Sequence, residues 1–201
     1  GVGYKIDGNY LEWENWRLRF ALHPREGLVL YDVRYKDGED ERPVMYRGSL
    51  SEMLVPYGDP DPNWNWRNAF DLGEYGVGRL ANSLRPGLDA PIYATMLDST
   101  FADDYANPYV QKDSIAVYER ESGLLWKHYD FESDHDETRR ARWLYLTYVA
   151  TVSNYDYALS WVFGQDGSIS VMGQLTGIVL PKGVKERAID GLGGTGTERY
   201  G

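Results

Sequence analysis

Apolar positions along this chain recur mostly with a period of two, the repeat of a pleated strand whose alternate side chains face opposite sides. Leu11 and Trp13, then Trp16, Leu18, Phe20 and Leu22, form two such stretches. The phase slips between them at Asn15, which predicts a bulge. His23-Pro24-Arg25-Glu26-Gly27 reads as a turn. Residues 28–36 read as the next strand, closed by Asp37-Gly38, and residues 44–54 as a third.

From 56 to 68 the alternation stops. Asp59-Pro60-Asp61-Pro62 disfavours helix before each proline. Trp64 and Trp66 in this stretch point to a packed loop. Residues 73–87 are punctuated by glycine and show no clear period. Strands resume at 92–97, 115–121 and 124–131, the last two separated by a hairpin signal at Ser122-Gly123. Residues 132–137 form an acidic loop. The apolar, β-branched run 142–153 predicts a strand buried on both faces. Residues 155–163 and 168–179 are joined by a hairpin turn at Gln165-Asp166-Gly167, and 181–201 is a Gly-rich loop. The expectation is a mainly β protein, an antiparallel β-sandwich or part of one.

Composition sharpens this in three ways. The 17 Tyr and 7 Trp suit half-buried pleated surfaces, which again favours strands. The net charge of −10 argues against nucleic acid, whose phosphates need a basic surface, and suits a cationic small molecule. The absence of cysteine excludes disulfides, thiolate metal sites and thiol nucleophiles. No apolar run approaches the roughly 20 residues of a membrane-spanning helix. The opening Gly1-Val2-Gly3-Tyr4 lacks a starting methionine, which suggests a piece of a longer polypeptide.

Several motifs lead nowhere. Gly191-Leu192-Gly193-Gly194-Thr195-Gly196 matches G-x-G-x-x-G, but no helix pattern follows it, so a flexible loop is expected. His23, His128 and His135 have no metal-ligand spacing, and Asp134-His135-Asp136 reads as a solvated turn. There is no G-x-S-x-G elbow. Asp98, Asp103 and Asp104 are strand-end or loop acids with no defined catalytic pairing.

Two segments stand apart: Asn68-Ala69-Phe70-Asp71-Leu72-Gly73-Glu74-Tyr75, and Asn154-Tyr155-Asp156-Tyr157 after the long buried strand. Taken alone, Asp71 caps a turn and Tyr155 is a spare tyrosine in another. Taken together, they resemble the copper amine oxidases. Asn154-Tyr155-Asp156-Tyr157 matches that family's cofactor motif, Asn-Tyr-(Asp/Glu)-Tyr. Phe70-Asp71-Leu72-Gly73-Glu74-Tyr75 resembles the segment with its catalytic aspartate. Arg25-Glu26-Gly27-Leu28-Val29-Leu30, Ser49-Leu50-Ser51-Glu52-Met53, Val55-Pro56-Tyr57-Gly58-Asp59-Pro60, Asn82-Ser83-Leu84, Leu125-Trp126-Lys127-His128 and Leu175-Thr176-Gly177 follow the family in order. The spacing from Asp71 to Tyr155, 155 − 71 = 84 residues, also fits.

The resemblance implies a partial catalytic domain over 1–201, truncated at both ends, within the family's β-sandwich. It implies a primary-amine oxidase using copper and topaquinone, with a small primary amine and O2 as substrates and a homodimer as the full-length form. Tyr155 becomes the topaquinone precursor that forms a Schiff base with substrate, and Asp71 the proton acceptor. Tyr57 and Asn154 orient and restrain the cofactor. Ala69 stands where some members carry an aromatic gate, implying wider substrate access. A carboxyl buried beside Phe70 and Leu72 would be a stronger base than a free aspartate.

The family's copper ligands are a His-x-His pair downstream of the cofactor tyrosine and a later histidine. None of the three histidines here lies in such a segment, so no metal ligand is assigned within this chain. The isolated chain is therefore expected to keep plain tyrosine at 155 and to lack oxidase activity. Gly87-Leu88-Asp89 and Val117-Tyr118-Glu119 stand where many members carry a disulfide, which is thus dispensable in this relative. Two alternatives remain open: a non-enzymatic, aromatic-rich β-sandwich that binds carbohydrate or a partner surface, and a degenerate amine-oxidase homologue.

Overall fold

The computed structural model describes residues 3–59 and 61–183. Two five-stranded antiparallel sheets dominate. The first has the order β1-β2-β3-β4-β5, with β1 Tyr4–Asp7, β2 Tyr10–Trp13, β3 Trp16–His23, β4 Gly27–Asp37 and β5 Asp40–Gly48. The second has the order β12-β11-β10-β9-β8. Its strands are β8 Thr95–Ala102, β9 Pro108–Asp130, β10 His135–Val152, β11 Tyr155–Gly164 and β12 Ile169–Gly177. A two-stranded ladder, β6 Leu54–Pro56 with β7 Asn68–Phe70, lies between them in sequence. The mainly antiparallel β architecture matches the sequence expectation.

Alternation in β3 explains the sandwich. Trp16, Leu18, Phe20 and Leu22 are buried, while the residues between them are half-buried or exposed. They join one core with Leu30 and Val33 of β4 and with Leu144, Leu146 and Phe163 of the opposing sheet. Indole N–H groups stitch the sheets across this core. Trp16 Nε1 donates to the Gly164 carbonyl at 2.8 Å, and Trp161 Nε1 to the Leu28 carbonyl at 2.9 Å. Each bond satisfies a polar group that would otherwise be buried unpaired.

The long run in β10 is buried on both faces, as expected. Leu144, Leu146 and Tyr148 face the main core. Tyr145 faces a second cluster with Leu84, Ala90 and Tyr118, formed where the segment before β8 covers the sheet's outer side. Tyr118 and Tyr145 stack with centroids 5.2 Å apart. Beside them, Arg85 and Asp89 close a short loop, with Arg85 Nε donating to Asp89 Oδ2 at 3.0 Å.

Several expectations need correction. The slip at Asn15 is a two-residue hairpin, not a bulge: Trp13 pairs with Trp16, and Glu14 takes φ 49°. Conversely, Ser122-Gly123 is a bulge within the continuous strand β9, not a hairpin. Gly123 has φ 84°, a conformation that serves bulges as well as turns, so the dipeptide did not discriminate. The proposed strand 44–54 is split. β5 ends at Gly48, and the chain crosses to the separate ladder of β6. The strand at 92–97 begins later, at Thr95, and β1 was not visible as a strand. Trp64 is half-buried as expected of a packed loop, whereas Trp66 is 69% exposed. The G-x-G-x-x-G stretch at 191–196 lies outside the described residues.

Candidate active site

Tyr155 is placed by the hairpin from β10 to β11. Val152 pairs with Tyr155, so Ser153 and Asn154 form a two-residue turn, with Ser153 at φ 55°. On the other side Tyr155 pairs with Gly177 of β12. Gly177 has φ 100°, and a Cβ there would lie 2.4 Å from the Asn154 carbonyl oxygen. Only glycine fits this approach, and it holds the Asn154-Tyr155 backbone against β12.

Alternation along β11 sends Tyr155 and Tyr157 to one face and Asp156 to the other. Tyr155 and Tyr157 stack at a centroid distance of 6.4 Å. Behind them, Thr151 Oγ1 donates to Asp156 Oδ1 at 2.5 Å and accepts from Asn82 Nδ2 at 2.9 Å. The network fixes the strand that presents the two phenols.

Tyr57 follows β6 and brings its phenol 3.1 Å from the Tyr155 phenol. That hydrogen bond, with partial burial second, pushes the Tyr155 phenol above its ordinary pKa. Arg67 lies over both the Tyr57 ring, at 4.9 Å, and the Trp64 ring, at 5.0 Å. The loop carrying Tyr57 is also clasped by Lys182, whose Nζ sits 2.5 Å from Asp59 Oδ2 and 3.3 Å from Asp61 Oδ2.

Asp71 opens a single π-helical turn, Asp71–Tyr75, directly after β7. It is only 2% exposed, and its Oδ2 has no hydrogen-bond partner among the described residues. Burial pushes the carboxyl above its ordinary pKa; the Tyr157 phenol beside it opposes that rise, while Glu74 and Glu52 add to it. Tyr157 is shifted upward in turn, first by burial and then by Asp71. Leu72 is fully buried, as expected beside such a base, but Phe70 is 42% exposed and contributes less shielding.

The structure thus gathers Tyr57, Tyr155 and Asp71 around Tyr157. Tyr155 and Tyr157 line a cleft with Met53, Val55, Leu175 and Val179. Ala69 is half-buried and pairs with Val55 of that lining. The Asn154 side chain is exposed; its tie to the site is the backbone carbonyl, which accepts from Ile178 N–H at 2.7 Å. Sequence reasoning gave no role to Tyr157, although it lies inside the quoted motif, nor to Thr151 and Arg67.

Residues 5–198 match the model of the copper amine oxidase enzyme domain. The chain belongs to the copper amine oxidase family. It is 43% identical to the histamine oxidase of Arthrobacter globiformis over 187 residues, 93% of this chain and 27% of that protein. It is 38% identical to a primary amine oxidase of Klebsiella aerogenes over all of this chain and 26% of that protein. A copper-containing benzylamine oxidase from Hansenula polymorpha superposes with a TM-score of 0.80 at 34% identity, covering 89% of this chain and 28% of that one. The chain therefore spans about a quarter of the length of these relatives.

Copper and topaquinone are the cofactors of this amine oxidase family. The described residues suit only one of them. Tyr155 offers a half-buried phenol on a cleft wall, fixed by Tyr57. For copper, no group of three His, Cys, Asp or Glu side chains gathers among the described residues. His23 turns its Nδ1 to the Arg25 and Glu26 amides, and His128 and His135 are exposed on the β9–β10 hairpin.

Proposed function

We propose that the chain forms part of the catalytic domain of a primary-amine oxidase. The reaction is RCH2NH2 + O2 + H2O → RCHO + NH3 + H2O2. One observation supports this above the others: Asp71, a buried carboxyl with one oxygen left without a partner among the described residues, and a phenol pair, Tyr57 and Tyr155, meet at the same tyrosine, Tyr157. A purely structural sandwich has no reason to leave a buried carboxylate oxygen without a donor.

Topaquinone derived from Tyr155 supplies a carbonyl electron sink that no ordinary side chain offers. The chain's own groups supply the rest. Asp71 takes the proton from the substrate Cα, and burial makes it a better base than a free aspartate. Tyr57 holds the oxygen at position 155 in one orientation. Asn154 restrains the same residue through the turn backbone. The small side chain of Ala69 beside Val55 leaves access open for substrate. Copper finds no ligand set among the described residues, and no step here runs through it.

The test is amine-dependent peroxide formation by a polypeptide containing this chain, loaded with copper, alongside its Asp71→Asn variant. The variant should form quinone but stall in amine oxidation, by about 10²-fold or more. Near-normal turnover would remove Asp71 from the role of base. The isolated 201-residue chain should show neither quinone absorbance nor turnover. Light scattering on the longer polypeptide tests the homodimer that belongs to the same proposal.

A further inference from the structure

The π-helical turn that carries Asp71 is closed at its C-terminal end by Gly76, whose N–H donates to the Leu72 carbonyl at 3.0 Å, but it has no N-terminal side-chain cap of its own. Phe70 precedes it and provides no side-chain acceptor. The free N–H groups at the start of such a turn need partners, and here they come from outside it. Glu52, in the segment before β6, reaches across. Its Oε1 accepts from Leu72 N–H at 3.0 Å and from Gly73 N–H at 3.2 Å. Its Oε2 accepts from Gly73 N–H at 3.1 Å. Oε1 also accepts from the Met53 amide at 3.0 Å, which fixes the carboxylate to its own backbone. The Met53 carbonyl in turn accepts from Asp71 N–H at 3.1 Å. Asp71 is therefore bracketed: its own amide is tied to residue 53, and the next two amides are tied to the side chain of residue 52.

Arg25 anchors Glu52 from the β3–β4 turn. Its Nη2 lies 3.5 Å from Glu52 Oε2 and donates to the Ser51 carbonyl at 3.1 Å. Burial works against the Glu52 charge, but the three amides and Arg25 outweigh it and hold the carboxyl below its ordinary pKa.

We propose that Glu52 is a positioning residue for the Asp71 carboxyl, capping the turn that holds the base against Tyr157. This rests on the reading of Asp71 as the proton acceptor. A turn whose Leu72 and Gly73 amides are held by a carboxylate keeps the preceding base in one geometry, and a displacement of about 1 Å can cost about 10²-fold in rate. Glu52 has a second effect, through charge. The groups bearing on Asp71 are Tyr157 from β11, Glu74 from the same turn and Glu52, and both glutamates raise its pKa.

The experiment uses the copper-loaded polypeptide and reads anaerobic substrate C–H cleavage per carbonyl-titratable quinone, with protiated and α-deuterated amine. Glu52→Ala should slow C–H cleavage per quinone by about 10–100-fold. Glu52→Gln keeps one acceptor oxygen and should recover most of that rate. Its acid limb should move to lower pH, because removing a neighbouring negative charge lowers the Asp71 pKa. Gly73→Ala provides an independent probe, since a Cβ there would lie 2.8 Å from Glu52 Oε2 and push the carboxylate aside. It should also slow cleavage per quinone.

Glu52→Ala with less quinone but an unchanged rate per quinone would show a merely structural part and overturn the proposal. If Glu52→Ala does not fold, an unmoved acid limb in Glu52→Gln with an unchanged rate in Gly73→Ala overturns it equally. Asp71→Asn separates the two levels. If it stalls while the Glu52 variants run normally, only the positioning role fails. If it turns over normally, the base assignment fails and the positioning role falls with it.

Discussion

The phenol oxygens of Tyr57 and Tyr155 lie 3.1 Å apart, although 98 residues separate them in the chain. The bond joins the β6 end of the small ladder to the first residue of β11. Tyr57→Phe removes it while keeping the ring under Arg67. The Tyr57 bond is the largest cause of the raised Tyr155 pKa, so the variant's Tyr155 should titrate lower than wild type. Ring resonances of 13C-labelled tyrosine report this directly. The stability loss should be modest, about 0.5–1.5 kcal/mol, as for a single neutral hydrogen bond.

Asp71 makes a claim about stability against pH. Its pKa is raised on folding, chiefly by burial. A raised carboxyl favours the folded state fully below its unfolded pKa of about 3.9, and that contribution is lost as pH rises through the folded pKa. Asp71→Asn removes the ionisation. The variant should melt above wild type at neutral pH, and the gap should close as pH falls towards about 4. Each 1 kcal/mol of relief appears as about 2–4 °C in a domain of this size. Equal melting temperatures for the two proteins across that range would contradict the buried-carboxyl account.

Much of the sandwich was legible because its core strands alternate cleanly. Trp16, Leu18, Phe20 and Leu22 mark the inner face of β3 without help from tertiary structure. The double-sided burial of the second half of β10 was also visible, in the apolar, β-branched run 142–153, whereas its polar first half from His135 was not. Other features turned on register. Glu14-Asn15 and Ser122-Gly123 each present a short polar break, yet one closes a hairpin and the other bulges a continuous strand. What decides is whether the partner strand continues past the break, a non-local fact. The site behaved similarly. The tyrosine motif and Asp71 could be picked out by resemblance, but the dependence of the Asp71 turn on Glu52 could not. Residues 19 or more positions apart in sequence carry no local pattern that links a side-chain acceptor to a remote amide.

The Asn82–Thr151–Asp156 network should be costly to break. Thr151→Val preserves shape but leaves Asp156 Oδ1 and Asn82 Nδ2 without their shared partner. The expected loss is about 1–3 kcal/mol, the penalty for stranding a partly buried polar group, and larger than for Tyr57→Phe. Urea unfolding measures it. Asn82→Ala with Thr151→Val should cost less than the sum of the two single changes, because both act through one hydroxyl.

Lys182 clasps the loop that carries Tyr57 and should control how firmly that loop is held. Its ammonium contacts Asp59 and Asp61 and lies 5.5 Å from the Trp64 ring centroid. Trp64 is thus flanked by two cations, Lys182 and Arg67, and Tyr57 packs against it at 6.4 Å. The Asp61 pKa is lowered, chiefly by the Asn63 amide and then by Lys182, despite opposing desolvation. A lowered carboxyl stabilises the fold above its unfolded pKa of about 3.9 and loses that contribution as pH falls through the folded value. Protection factors across residues 57–67, taken against the intrinsic exchange rate at each pH, should therefore be high at neutral pH and fall in acid. Lys182→Met should lower the protection factors in this segment already at neutral pH and reduce their further fall in acid. The β3–β4 turn at 23–27 serves as the internal control, since neither Asp59 nor Lys182 contacts it through a hydrogen bond or ion pair. Unchanged protection of 57–67 in Lys182→Met would mean that the aromatic stack of Tyr57, Trp64 and Arg67 holds the loop without the ion pair.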